Sequence, residues 1–97
     1  MADVSTVDWS HTDLSVLYDV FAETETRLGG ELIALRSAAE EAGDADEAEF
    51  WAVEVRRIMR ARRAVDPDDR EAIIAAIEAF NHELRYLRYA RGQRVVA

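Results

Sequence analysis

Apolar residues recur along the chain at alternating spacings of three and four, which is the pattern of helices that bury one face. In the middle of the chain this stripe runs through Ala48, Trp51, Val55, Ile58, Arg62 and Val65. Asp44, with Glu47 three residues later, forms a capping-box pattern that supplies an acceptor for the free amides of a helix start. We therefore predict helix 2 over residues 44–65.

A further stripe follows the only proline and comprises Ile73, Ile77, Phe80, Leu84 and Leu87. The segment Asp66-Pro67-Asp68-Asp69 offers a capping aspartate, a proline at the tolerated first helical position and acidic residues in the first turn. Arginines gather before Gly92, and both features are typical of a helix end. The pattern predicts helix 3 over residues 67–91 and a tail over 92–97.

The longest helix is predicted first, over residues 12–42, after an N-terminal arm at 1–11. Its stripe comprises Leu14, Tyr18, Phe21, Glu25, Leu28, Leu32, Leu35, Ala39 and Ala42. Gly29-Gly30 interrupts it, and each glycine costs about 1 kcal/mol relative to alanine. Because the stripe keeps its phase from Leu28 to Leu32, we expect one continuous helix. The alternative is a break at which the first part folds back.

Short connections at Gly43 and at Asp66-Pro67 predict that neighbouring helices run antiparallel. The expected fold is all-α: one domain, an antiparallel three-helix bundle with a long first helix and coiled-coil-like packing. Counting residues outward from each turn places Glu25 level with Arg62, and Arg62 level with Arg70. The predicted core is Leu28, Leu32, Leu35, Trp51, Val55, Ile58, Ile73, Ile77, Phe80 and Leu84.

The same count leaves the start of helix 1 without a neighbour. Helix 2 ends level with Phe21, so residues 12–20 overhang the bundle by about 13 Å. The apolar group left in water comprises Trp9, Leu14, Leu17, Tyr18 and Phe21, preceded by Val4 and Val7. Soluble monomers rarely expose such a group, so we expect a second copy to cover it in a two-fold homodimer.

The charge of the chain is distributed unevenly. Residues 1–55 hold 14 acidic residues and 2 arginines, a net −12, whereas residues 56–97 hold 6 and 10, a net +4, giving −8 in total. The interpretation we favour is that the two halves neutralise each other within the bundle. The alternative is that an acidic surface and a basic surface meet different partners.

Composition and motifs indicate no catalytic or metal chemistry. There is no cysteine, and the two histidines lack the Glu-x-x-His pairs of a di-iron bundle, so we expect no metal and no cofactor. Residues 1–10 lack the basic start and apolar run of a secretory signal, and no stretch has membrane-spanning length. We expect a cytoplasmic protein that is not an enzyme.

Two sets of charged residues deserve separate interpretations. Glu25, Arg62 and Arg70 share one predicted layer, where they form a buried ion cluster or, alternatively, an anion-binding or catalytic site of a small helical enzyme. The exposed arginine clusters are Arg56, Arg60 and Arg63 on helix 2, and Arg85, Arg88 and Arg91 on helix 3. Interleaved tyrosines make nucleic-acid binding an alternative function of these clusters, although the overall charge opposes it.

The functional expectation is a non-catalytic, acidic, helical interaction module that binds another protein and also itself. Its composition is like that of small acidic antitoxins or inhibitors, an analogy that rests on composition alone. A regulator that uses the arginine clusters on nucleic acid is the first alternative.

Overall fold

The computed structural model describes residues 8–96, with side chains described for residues 8–91. It contains three helices: α1 (Leu14–Glu41), α2 (Ala45–Ala64) and α3 (Arg70–Val96). Helix α1 packs against both α2 and α3, which confirms the predicted all-α three-helix bundle. Val4, Val7 and the rest of the arm before residue 8 lie outside the described residues, as does Ala97.

Helix α1 is continuous through Gly29-Gly30, as the unbroken phase of its stripe predicted. The first turn follows directly, and Gly43 adopts a φ of +73° that favours glycine after a helix end. The amides of Gly43 and Asp44 close this end by donating to the carbonyls of Glu40 and Ala39, at 3.1 and 2.9 Å. The turn is therefore tight and brings α2 back along α1.

Asp44 caps α2 as predicted, because its Oδ1 accepts a hydrogen bond from the amide of Glu47 at 3.0 Å. Glu47 does not complete the box by reaching back to the cap. Its Oε2 instead accepts a hydrogen bond from the indole Nε1 of Trp51, one turn further on, at 3.0 Å. Glu47 therefore links the capping residue, Asp44, to the side chain of Trp51.

Helix α3 begins at Arg70, one turn later than predicted. Asp69 caps it, since its Oδ1 accepts from the amide of Ala72 at 3.1 Å. Asp66, the predicted cap, is used instead in the connection, where its Oδ1 accepts from the amide of Asp68 at 2.9 Å. The sequence offers several aspartates here, and the one nearest the apolar stripe takes the capping position.

The predicted end of this helix was also wrong. Helix α3 continues through Gly92 to Val96, so residues 92–96 belong to it and do not form a separate tail. A glycine inside a helix is unfavourable by about 1 kcal/mol but does not by itself end the helix. Gln93 and the residues after it include no proline or other strong breaker.

Helices α1 and α3 run parallel with their starts level. Arg70 Nη1 donates to the carbonyls of Trp9 and Thr12, at 3.1 and 2.5 Å, across the first turns of both helices. Further along, the rings of Phe21 and Phe80 stack with centroids 5.6 Å apart. Near the other end, Arg91 pairs with Glu31 of α1. The offset between paired residues stays nearly constant over this length.

The predicted overhang of α1 is therefore wrong. Leu17 and Phe21 are fully buried within one chain, in the same cluster as Ile73 and Ile77 of α3, and Trp9, Leu14 and Tyr18 pack partly buried against that cluster. The count failed because the second connection is not a tight turn. Val65 is extended (φ −82°, ψ 120°), and residues 65–69 carry the chain past the end of α2 before α3 begins. The physical reason for a dimer through this segment is thereby removed.

Seven of the ten predicted core residues are buried, namely Leu28, Leu32, Ile58, Ile73, Ile77, Phe80 and Leu84. Leu35, Trp51 and Val55 are only partly buried against this cluster. Leu35 and Trp51 lie in the half of α1 and α2 nearest the first turn, where they border a gap between α2 and α3. Val55 lies at the middle of α2.

We predict that Leu17→Ala lowers the free energy of unfolding by about 2–5 kcal/mol, because it removes a fully buried side chain and leaves a cavity. Val16, the adjacent residue, is 49% exposed, and Val16→Ala is expected to change stability by less than about 0.5 kcal/mol. Urea unfolding followed by circular dichroism measures both. Similar small effects for the two variants would show that Leu17 is not in the core.

Replacing Gly29 or Gly30 of α1 by alanine is expected to stabilise the protein by up to about 1 kcal/mol, since alanine has the higher helix propensity. A Cβ at Gly29 or Gly30 would meet no heavy atom within 4 Å. Gly43→Ala is the contrasting variant: it also meets no atom, but its φ of +73° strains any side chain, so it should destabilise. A melting temperature that falls for Gly29→Ala or Gly30→Ala would contradict a continuous, strain-free α1.

Candidate functional site

An open groove separates α2 from α3. Within the described chain, no Cα atom of α2 lies within 8 Å of one in α3, although both helices pack on α1. We call this feature the α2–α3 groove and define it by six residues: Leu32, Leu35 and Leu87 on its floor, Phe50 and Trp51 on the α2 wall, and Tyr86 on the α3 wall. The partial exposure of Leu35 and Trp51 follows from this separation.

The groove consists of two adjoining cavities. The larger has a volume of about 310 Å³ and lies over Leu32 and Leu87. The smaller has about 140 Å³ and lies over Leu35, and both cavities share Trp51, Tyr86 and Leu87. Together they form a mainly apolar trough whose walls are α2 and α3.

Aromatic side chains stand at both rims of the trough. Phe50 is 57% exposed and Tyr86 is 67% exposed, which is unusual for large apolar side chains beside a buried floor. Phe50 packs edge-on against Trp51, with ring centroids 4.9 Å apart and planes at 82°. Glu47 also accepts a hydrogen bond from the indole of Trp51, so two contacts orient this side chain on the α2 wall.

A charged bridge crosses one part of the groove. Arg57 of α2 donates from Nη2 to Glu83 Oε1 of α3 at 2.5 Å, and from Nη2 and Nε to Glu54 Oε1 at 3.0 and 3.2 Å. The hydrogen bond with Glu83, followed by that with Glu54, raises the pKa of Arg57 above its ordinary value. The bridge therefore joins the two walls by a permanent cation shared between two carboxylates.

The predicted ion cluster is a pair. Arg62 Nη1 donates to Glu25 Oε2 at 3.0 Å, as the level count about the first turn predicted. Arg70 is not in this layer, because it donates to the carbonyls of Trp9 and Thr12. The two guanidinium groups thus have separate acceptors supplied by the chain itself, and they do not converge on a common anion site.

The arginine clusters lie where the sequence placed them, on the exposed faces of α2 and α3. Arg56, Arg60 and Arg63 are exposed on α2, and Arg56 pairs with Glu49 at 3.2 Å. On α3, Arg85, Arg88 and Arg91 are exposed, and the last two pair with Glu31 of α1. Part of each cluster is therefore already neutralised by carboxylates of this chain.

Ion pairs join the acidic half of the chain to its basic half. They include Glu25 with Arg62, Glu31 with Arg88 and Arg91, Glu49 with Arg56, and Glu54 with Arg57. Each of these pairs connects a carboxylate before residue 56 to an arginine after residue 55, whereas Arg36 with Glu40 and Arg57 with Glu83 pair within one half. This pattern is what the neutralisation interpretation predicts, and at the first turn arginines also pair with Glu40 and Glu49.

The remaining surface offers less to a ligand. A broad depression of about 990 Å³ runs along the outer face of α1, but it is open and lined mainly by small and charged residues such as Ala22, Glu23, Arg27 and Ala34. No group of three or more potential metal ligands occurs within residues 8–91. None of the three described helices combines the length and apolar character that crossing a bilayer requires.

Comparison of this chain with protein-family models, with curated proteins and with solved structures found no match.

Sequence reasoning missed the groove because it assumed that all three helices touch. Phe50 and Tyr86 carry half of the advance signal: each is a large side chain that lies off the apolar stripe of its helix. The polar residues at the facing positions, Glu54, Arg57 and Glu83, are the other half of that signal. Together they indicate two helix faces that are neither fully solvated nor packed together.

We predict that Arg62→Ala lowers the free energy of unfolding by about 1 kcal/mol, because it leaves the carboxylate of Glu25 without its partner. The Glu25 side chain is 11% exposed, but that of Arg62 is 43% exposed, so solvent screens part of the loss. Arg63→Ala, one residue away on the exposed face, is the control and should have little effect. Equal losses in urea unfolding would contradict a structural role for the pair.

Proposed function

We propose that this protein is a non-catalytic helical interaction module that binds another protein in the α2–α3 groove. The observation that supports this proposal is the mainly apolar trough with an exposed aromatic side chain on each rim, Phe50 on α2 and Tyr86 on α3. Exposed aromatic side chains beside a concave apolar floor are typical of the central contacts of protein interfaces.

The arrangement of charges supports binding over catalysis. Glu54 and Glu83, the carboxylates nearest the groove, both accept hydrogen bonds from Arg57, so neither is placed as a free acid or base. His82 at the edge is exposed, and no serine, threonine, cysteine or lysine lies with it among the described residues lining the cavity. The groove therefore offers shape and apolar area, which suit recognition of a surface.

The alternatives gain less support. An anion-binding enzyme would need Arg62 and Arg70 on one site, whereas each has its own acceptor in this chain. A nucleic-acid contact would need a continuous basic surface, whereas Glu49 and Glu31 interrupt the two arginine clusters. The cytoplasmic location expected from the sequence remains part of this proposal and rests on the sequence alone.

The test compares the wild type with two double variants by affinity purification and cross-linking from cells that express the protein. The groove variant is Phe50→Ala with Tyr86→Ala. The control variant is Met59→Ala with Tyr89→Ala, which removes similarly exposed side chains from the same two helices but away from the groove. Alanine favours helices, so both variants should fold.

We expect a protein partner that the wild type and the control variant retain and the groove variant loses. With that partner purified, calorimetry should show binding weakened by more than about tenfold in the groove variant, since interface aromatic residues commonly contribute 2 kcal/mol or more each. Equal binding by all three proteins would place the interface elsewhere. Salt-sensitive retention of DNA or RNA by the arginine clusters, with no protein partner, would favour the nucleic-acid alternative.

A further inference from the structure

We infer that the occupant of the groove is a basic amphipathic helix of the partner protein. This inference rests on the proposed function and specifies the chemistry of the partner. Three features of the groove lead to it: the hydrogen-bonding state of its walls, its dimensions, and the sign of the charges around it.

The walls of the groove have no backbone groups to offer. Both α2 and α3 are regular helices along it, so their amides and carbonyls are already paired within each helix. An extended segment lying there would have to leave its own backbone groups unpaired over an apolar floor, which is unfavourable. A helix satisfies its backbone internally and needs only side-chain contacts.

The length of the groove suits the same occupant. Leu32 and Leu35 present adjacent turns of α1 as a floor, and the α2 wall extends from Phe50 to Arg57, about 10 Å or two helical turns. A helix placed there would become a fourth element between α2 and α3, with an apolar stripe at spacings of three and four facing the floor.

The charge around the groove determines the polar face of that helix. The carboxylates of Glu47, Glu54 and Glu83 lie on or beside its walls, and the one cation that bridges them, Arg57, is shared by two of the three. Close by, the first turn adds the exposed acidic residues Glu41, Asp44 and Asp46. Glu40 and Glu49 are paired with Arg36 and Arg56. Arg91, at the smaller cavity, shares Glu31 with Arg88. Lysine or arginine flanking the apolar stripe of the occupant would meet this acidic rim.

The same charges oppose a second copy as the occupant. The chain carries a net −8, so a second copy would bring further acidic charge towards an acidic groove. Part of its arginine clusters is also engaged by its own Glu31 and Glu49. A basic partner of different sequence has the complementary charge without that repulsion.

The experiment selects helices against the folded protein from a displayed library. Each member presents a fixed apolar stripe on a stable helical hairpin, so that the helix is formed before binding. The flanking positions vary freely among lysine, glutamate, serine and alanine. Selection is run on the wild type, on the groove variant and on the control variant defined above.

We expect the enriched helices to carry an excess of lysine over glutamate. The strongest binder should bind wild type and control variant alike, bind the groove variant more than tenfold less tightly, and weaken several-fold between about 50 and 500 mM salt as the charges are screened. Exchanging its lysines for glutamates should abolish binding. Trp51 emission in a Trp9→Phe background should change on binding, which locates the helix in the groove.

Enrichment of uncharged or acidic helices, equal binding to the groove variant, or no enrichment at all would overturn the basic-helix inference. So would sedimentation showing a dimer that the groove variant abolishes, because a second copy would then occupy the groove. The proposed function is tested separately: a natural partner that still requires Phe50 and Tyr86 would uphold it even if that partner proved not to be a basic helix.

Discussion

The structure depends on the burial of α1 between α2 and α3, which do not contact each other closely. Leu17, Phe21 and Leu28 of α1 are fully buried. In the same helix, Leu32 forms part of the groove floor and Glu25 pairs with Arg62 of α2. Because α2 and α3 approach α1 from different sides, the three helices form a layer whose Cα atoms extend 47 × 32 × 14 Å. A chain of 97 residues has little core to spare, so nearly all its apolar burial depends on α1 keeping both neighbours.

Residues 65–69 determine how those neighbours are aligned. Had this connection been as tight as the one at Gly43, α3 would begin level with the end of α2 and the start of α1 would be bare. The extended Val65 and the turn closed by Asp66 carry the chain further, and Arg70 then binds the carbonyls of Trp9 and Thr12. A guanidinium that reaches backbone acceptors on another segment has a defined position, so the parallel alignment of α1 and α3 begins with that contact.

The sequence predicted the helices and most of the core because both depend on local periodicity. Ile58, Ile73 and Phe80 are buried where their spacing required, and the pair of Glu25 with Arg62 followed from counting across one tight turn. The alignment of α3 could not be counted in the same way, because several aspartates could cap it and a five-residue connection can close or extend. The site was missed for the same reason: whether Leu35 and Trp51 are covered depends on the distance between α2 and α3, a tertiary property that no stripe encodes.

The groove is open because of the residues on its walls. Closing α2 onto α3 would bury Glu54, Arg57 and Glu83, and the desolvation of three charges in an apolar contact can exceed their mutual attraction. At the observed separation these groups keep their hydrogen bonds and remain partly hydrated. The stability of the fold explains the charges on the walls. It does not explain Phe50 and Tyr86 beside them, because exposing an aromatic side chain to water does not stabilise the fold. Charged side chains that bridge the walls and are costly to bury, together with aromatic side chains that line the gap, agree with the proposal that a further helix binds there, because its apolar stripe would cover the exposed apolar surface.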